Sequence, residues 1–201
     1  MDNSSWNQRY GQPGFAYGTE PNTFLASVAD RIPKGRILSL GEGEGRNAVH
    51  LASLGYDVTA VDSSDVGLAK ARQLAVDRGV ALTTITADLA DVQIEAENWD
   101  GIISIFCHLP SDVRVPLYRR VVSGLKPGGV LVLEAYTPKQ LLHGTGGPTD
   151  VDRLMTLAKL QQELSGLQLF HAIEMERDVE EGKYHSGLSS VVQVLGIKPE
   201  I

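Results

Sequence analysis

Residues 37–52, "ILSLGEGEGRNAVHLA", constrain the fold of this chain more than any other stretch. An apolar start breaks into glycines at every second position, Gly41, Gly43 and Gly45, and then continues with apolar residues at helical spacing. A strand, a tight glycine turn and a helix form the opening unit of a parallel α/β sheet, and the turn lets backbone amides approach a ligand closely. Two glutamates, Glu42 and Glu44, stand inside this turn. The spacing also differs from the dinucleotide pattern G-x-G-x-x-G, because the third glycine comes one residue early and Arg46 follows it.

Downstream, short apolar runs alternate with helical ones. "DVTAVD" precedes "SDVGLAKARQLAVDRG", "ALTTITA" precedes a loop, "WDGIISIF" precedes "SDVRVPLYRRVVSGLKPGG", and "GVLVLEAY" leads through a loop to "DVDRLMTLAKLQQEL". Such alternation predicts parallel strands joined by helices on both faces. The last two runs, "GLQLFHAIEMERDVEEG" and "SGLSSVVQVLGIKP", have no helix between them and predict an antiparallel hairpin. The expected architecture is therefore α/β, a doubly wound and mainly parallel seven-stranded sheet closed by a C-terminal antiparallel hairpin. Ahead of it, residues 6–19 read as an aromatic loop. Pro21 fits a first helical position, and Phe24, Leu25, Val28, Ala29 and Ile32 keep helical spacing until Pro33.

Charge and composition narrow the function classes. The balance is 25 acids against 18 Lys and Arg, net -7, with no basic block, which speaks against a nucleic-acid partner. Apolar runs such as "GGVLVLEAY" are about half of what a membrane span requires, and the first residues, "MDNSSWNQRYGQPG", have no secretory pattern. With a single cysteine, Cys107, no intrachain disulfide and no cysteine-based zinc cluster is expected. These features lead to the expectation of a cytoplasmic protein without metal or membrane, a monomer or a homodimer.

In a doubly wound sheet the ligand lies at the carboxyl ends of the strands. Asp62 closes the second strand 21 residues after Gly41, where an acid can accept both hydroxyls of a ribose. Alternatively Asp62 or Ser63 caps the helix that begins near Val66. After the third strand, Asp88 and Leu89 can take the exocyclic amine and one face of an adenine, or Asp88 is a solvated loop acid.

Taken together, the glycine loop, Asp62, "ADL" at 87–89, "WDGIISIF" and "LKPGGVLVLEAY" resemble the class I S-adenosylmethionine-dependent methyltransferases. The small enzymes similar to the tellurite-resistance protein and to thiopurine methyltransferases are the nearest likeness. This resemblance implies one domain over residues 1–201, with a lid and first helix in 1–33 and a Rossmann-like core in 34–201. S-adenosylmethionine is the implied cofactor, held by Gly41, Gly43, Gly45, Asn47, Asp62, Ser63, Asp88, Leu89 and Phe106, with Tyr17 and Gly18 from the lid. Ser39 is a departure, because the family usually carries an acid there, and Glu42 is the candidate to replace it. A carboxylate about 5 Å from a sulfonium or ammonium gains on the order of 3 kcal/mol at an effective dielectric of ~20, and loses a similar amount beside a pyrophosphate. Acids in the loop thus favour a cationic cofactor over NAD. The glutamates alternatively face solvent or pair with Arg46 or Arg36.

The implied reaction is in-line methyl transfer to a small molecule such as a thiol, a metalloid oxyanion or a similar soft acceptor. His108, after the fourth strand, and His185, in the final hairpin, are the candidate catalytic residues, and His185 matches a proposed base of the tellurite-resistance group. The "TPKQLLHGTGGP" loop, with Tyr136 and His143, is expected to form part of the acceptor pocket, or else His143 sits exposed on a mobile loop. Cys107 reads as a small buried residue. The alternative from another class is a non-catalytic module that binds or senses the cofactor.

Overall fold

The computed structural model describes residues 3–200; positions 1, 2 and 201 of the expected domain lie outside the described residues. Its strands are β1 (Arg36–Leu40), β2 (Asp57–Asp62), β3 (Thr83–Thr86), β4 (Trp99–Ile105), β5 (Leu125–Tyr136), β6 (Gln168–Glu180) and β7 (Ser186–Ile197). They form one sheet in the order β3-β2-β1-β4-β5-β7-β6. Pairing is parallel from β3 through β5, and β7 runs antiparallel to both β5 and β6. The chain proceeds outward from β1 to β3 and then returns to place β4 on the other side of β1. That reversal opens a crevice at the carboxyl ends of β1 and β4.

Two apolar layers sandwich the sheet, as period-two alternation dictates. Leu38 and Leu40 of β1 pack with Leu117 and Val121 of α5 (Ser111–Gly124). Ile37 faces the other way, among Phe24, Leu51 and Leu68. These last come from α2 (Thr23–Val28), α3 (Arg46–Ser53) and α4 (Asp65–Asp77). On the first face, α6 (Leu157–Glu163) adds Leu160.

Several local expectations are corrected. Residues 3–10 form a helix, α1 (Asn3–Tyr10), where a loop was expected from Trp6 onward. Trp6 and Tyr10, one turn apart, stack at 5.5 Å, and Gly67 of α4 gives Tyr10 room to pack against that helix. Pro21 is not helical: Asn22 is the N-cap of α2, its side chain accepting from the Leu25 amide, so the helix starts at Thr23. The cap of α4 is Ser64, accepting from the Gly67 amide, and neither Asp62 nor Ser63. Residues 150–163 divide into a 3-10 turn (Val151–Arg153) and α6.

Candidate functional site

The crevice is a cavity of about 660 Å³ over the end of β1, bordered by Gly41, Glu42 and Asn47 from the glycine turn and by Asp62 and Ser63 after β2. Gly41 has φ +62°, and a Cβ there would stand 2.7 Å from the Cys107 sulfur, so only glycine fits between loop and β4. Gly43 and Gly45, which were also expected to hold the cofactor, are not among the residues bordering the cavity and lie next to it in the same turn. A Cβ on Gly43 would meet the Tyr10 hydroxyl at 2.6 Å, and one on Gly45 would meet Ala71 of α4 at 2.6 Å. Their absent side chains let α1 and α4 approach the loop.

Three acids organise this end. Asp62 accepts the Gly43 amide on one oxygen and the Ser64 amide on the other, each at 2.8 Å, so it fixes the glycine turn while facing the cavity. Burial raises its pKa, opposed by these amides. Glu42 folds back over β1. One carboxylate oxygen accepts the Ser39 hydroxyl, and the other accepts the Asn47 and Ala48 amides at 3.0 and 2.9 Å. It thus faces neither solvent nor Arg36, and burial raises its pKa despite those bonds. Glu44 is buried as well, and pairs with neither Arg46 nor Arg36. Its carboxylate takes the Ala16 amide at 2.7 Å and the Lys70 ammonium at 2.9 Å, while Lys70 also holds the Gln12 and Gly14 carbonyls. Glu44 therefore fastens residues 12–16 across the loop.

Asp88 and buried Leu89 border the cavity beyond Asp62, and the Asp88 carboxylate accepts the Ala90 amide at 2.9 Å. The opposite wall is aromatic. Phe106, at φ +50°, lies 4.7 Å from the His185 ring, and Tyr17 of the lid segment lies 4.5 Å from it on another side. Gly18 follows Tyr17 along the rim. His108 stacks on Tyr136 at 5.4 Å and donates from Nδ1 to the Arg153 carbonyl at 3.1 Å. Burial holds the His108 pKa down to about 4 and that of His185 well below 6.5, so both rings are neutral at pH 7. The Cys107 thiol is pushed up to about 12 by burial and stays protonated.

Two acceptor-side expectations are corrected. Tyr136 does not border the cavity; it is fully buried behind Phe106, His108 and His185. His143 turns away to bond Glu176 at 3.1 Å. Backbone of Gly146 and Gly147, together with Asp150 and Arg153, borders the cavity in their place.

A buried charge network reaches the cavity at Arg46. Arg177 of β6 donates twice to Glu134 of β5, at 2.7 and 2.8 Å, and Gln193 of β7 adds a third bond. The Asn22 side chain donates to both Glu134 and Glu181, and Arg46 donates to the other oxygen of Glu181. The Lys183 amide reaches the Ala16 carbonyl at 2.9 Å. Lid, glycine-loop helix and hairpin turn are thereby tied to one another beside the cavity.

Sequence reasoning did not find Arg9, Arg46, Glu181 and Tyr184. Arg9 donates to the Tyr17 hydroxyl at 2.7 Å, with its guanidinium between Trp6 (5.1 Å) and Tyr184 (4.7 Å). Trp6, Arg9 and Tyr10 have helical spacing in "WNQRY", a signal that was available. Partners of Arg46 and Glu181 lie 135 positions apart, beyond any local pattern.

The donor set fits S-adenosylmethionine. Carboxylates of Asp62, Asp88 and Glu42 suit hydroxyls, an amine and an ammonium. The cations at the glycine turn, Lys70 and Arg46, are paired with Glu44 and Glu181, Arg46 through one arm only, so the turn offers a pyrophosphate more carboxylates than cations.

Comparison with known proteins agrees. Residues 37–129 match the model of a methyltransferase domain family. The probable S-adenosyl-L-methionine-dependent methyltransferase TehB of Haemophilus influenzae (strain 10810) is 35% identical over 94 residues, 46% of this chain and 32% of TehB. This chain therefore matches only about a third of the length of that curated relative. The crystal structure of TehB from Haemophilus influenzae superposes with a TM-score of 0.73 at 19% identity, covering 98% of this chain and 66% of TehB. A protein from work on the conversion of a disulfide bond into a thioacetal group during echinomycin biosynthesis superposes with a TM-score of 0.77 at 19% identity, covering 98% and 91%. These structures share the fold, the Rossmann-like sheet with its antiparallel end. Over residues 37–129 the chain is thus similar to a methyltransferase domain, and it is similar to the probable S-adenosyl-L-methionine-dependent methyltransferase TehB, enzymes whose cofactor is S-adenosylmethionine.

Proposed function

We propose that this chain methylates a small, soft acceptor, and that it works in the cytoplasm. The observation that carries this reading is the neutral aromatic wall of Phe106, His185 and Tyr17 facing the acid-lined half of one cavity. When bound, S-adenosylmethionine supplies a methyl on a sulfonium, which an acceptor lone pair takes in line while the carbon–sulfur pair withdraws onto a neutral thioether. The leaving group requires no acid, so the protein's share is alignment and exclusion of water. Asp62, Ser63, Asp88 and Leu89 hold the nucleoside, and Glu42 faces the ammonium. Tyr17 and Gly18 cover the site, and the rings of Phe106 and His185 keep it dry.

A histidine with a depressed pKa is a weak base, so His185 and His108 serve an acceptor that arrives ionised or has an easily lost proton. Thiols, metalloid oxyanions and related soft nucleophiles meet that condition. Calorimetry with S-adenosylhomocysteine tests the cofactor, and labelled methyl transfer across thiols and oxyanions tests the reaction. Cofactor binding without turnover on any of them would select the other reading, a binding or sensor module.

A further inference from the structure

Nη1 of Arg46 and Nδ1 of His185, both on residues that border the cavity, have no hydrogen-bond partner among the described residues, nor has the Tyr136 hydroxyl behind His185. Arg46 and His185 are both more than nine-tenths buried, with 7% and 8% of their surface exposed. The nearby carboxylates, by contrast, are all engaged. Glu181 receives Arg46, Asn22 and Arg177, while Glu134 receives Arg177, Asn22 and Gln193. Glu42 and Glu44 are held as described, and Asp150 pairs with Arg153 at 3.6 Å. An unfilled guanidinium arm in such a place is unfavourable, a cost that a ligand oxygen removes.

Charges of Arg46, Arg9 and Arg177 all act on the His185 ring in the direction that opposes a further positive charge. Among the described residues Arg9 has no carboxylate partner in its hydrogen bonds, since it donates to the Tyr17 hydroxyl and lies between two aromatic rings. We propose that the acceptor binds as an anion, a small molecule with a carboxylate or comparable oxyanion group, whose negative oxygen takes the free arm of Arg46 next to Nδ1 of His185. This inference rests on the methyltransferase reading and narrows its acceptor to anionic molecules. Glu181 is the positioning residue, because it holds the other guanidinium arm and so aims Nη1.

The test uses the whole chain saturated with S-adenosylhomocysteine and two probes of similar shape, mercaptoacetate and its neutral amide, 2-mercaptoacetamide. Calorimetry is expected to show the carboxylate binding about tenfold tighter, the margin by which charge-assisted bonds exceed neutral ones. Arg46→Lys keeps a cation for Glu181 and lacks the second arm, so it should lower that ratio to about twofold when both probes are measured at saturating S-adenosylhomocysteine. Equal affinity for the two probes, or no binding of either, would overturn the proposal. So would an Arg46→Lys variant that loses S-adenosylhomocysteine affinity but retains the probe ratio, because Nη1 then serves the cofactor's own carboxylate. Failure of the wild-type chain to bind S-adenosylhomocysteine is a separate result, which removes the cofactor reading itself.

Discussion

The carboxylate of Glu42 lies against the hydroxyl of Ser39, and so an acid reaches the end of β1 from three residues further along the chain. The amides of Asn47 and Ala48 hold its other oxygen and fix it to the start of α3. Glu42→Gln keeps the shape and removes the charge. It should weaken S-adenosylmethionine binding by on the order of 1.5–3 kcal/mol, roughly ten- to a hundredfold in Kd by calorimetry. Stability should move the other way. Burial raises the folded pKa of Glu42, so its stabilising contribution is present below the ordinary 4.5 and is lost as pH rises through the raised value. At neutral pH the Gln variant should therefore melt no lower than the wild type.

Asp62 has a double task, and its variants should separate the two. Asp62→Ala leaves the Gly43 and Ser64 amides without an acceptor, and should lower the melting temperature as well as abolish the shift produced by S-adenosylhomocysteine. Asp62→Asn retains one acceptor oxygen and should lose less stability, by about 1 kcal/mol, while cofactor affinity still falls. Equal loss of stability in both variants would contradict this division.

His108 and His185 give the molecule an acid limit. Their folded pKa values are depressed, so the stability linked to their neutral forms is present above the ordinary 6.5 and is lost as pH falls through the folded values. For His108 the window runs from 6.5 down to about 4. Melting temperatures measured across that window should fall less steeply in His108→Asn than in the wild type. Methyl transfer should be flat with pH above 6.5 as far as His185 is concerned, and a rise with a midpoint near 7 assigned to it would be inconsistent with its burial.

Gly182, at φ +74° in the turn between β6 and β7, lies against the lid: a Cβ there would stand 2.4 Å from the Tyr17 carbonyl carbon. Gly182→Ala should push the lid from the cavity, weakening S-adenosylhomocysteine binding about tenfold or more while far-UV circular dichroism stays unchanged. Limited proteolysis within residues 11–20 should accelerate. An intact lid with normal affinity would show that this contact yields without consequence.

How much of this was legible in the sequence follows from the range of each interaction. The alternation of "RILSL", "DVTAVD" and "WDGIISIF" with helical runs is local, and it announced the parallel sheet and its hairpin. Asp62, Asp88 and Gly41 could be placed at the crevice from sequence because strand ends and turns carry short signatures. Gly43 and Gly45 carry the same signature, yet they make room for Tyr10 and Ala71, contacts that no spacing rule contains. The role of Glu44 stayed open in the sequence because its partners, Ala16 and Lys70, come from separate segments. The same reason hid the Glu134, Arg177 and Glu181 network, which exists only once β5, β6 and the lid are side by side.

β6 is made before β7, but β7 is its neighbour in the sheet, inserted between β6 and β5. During synthesis β6 therefore waits, and the turn that carries Glu181 and His185 has no fixed place until residues 186–197 have left the ribosome and paired on both sides. A nascent chain stalled before that point already contains the glycine turn, Asp62 and Asp88, and still lacks the paired hairpin. The turn that carries Glu181 and His185 thus owes its place to a strand that follows it in the chain, and a fragment ending ahead of Ser186 should lose the His185 wall of the cavity however well its first strands had folded.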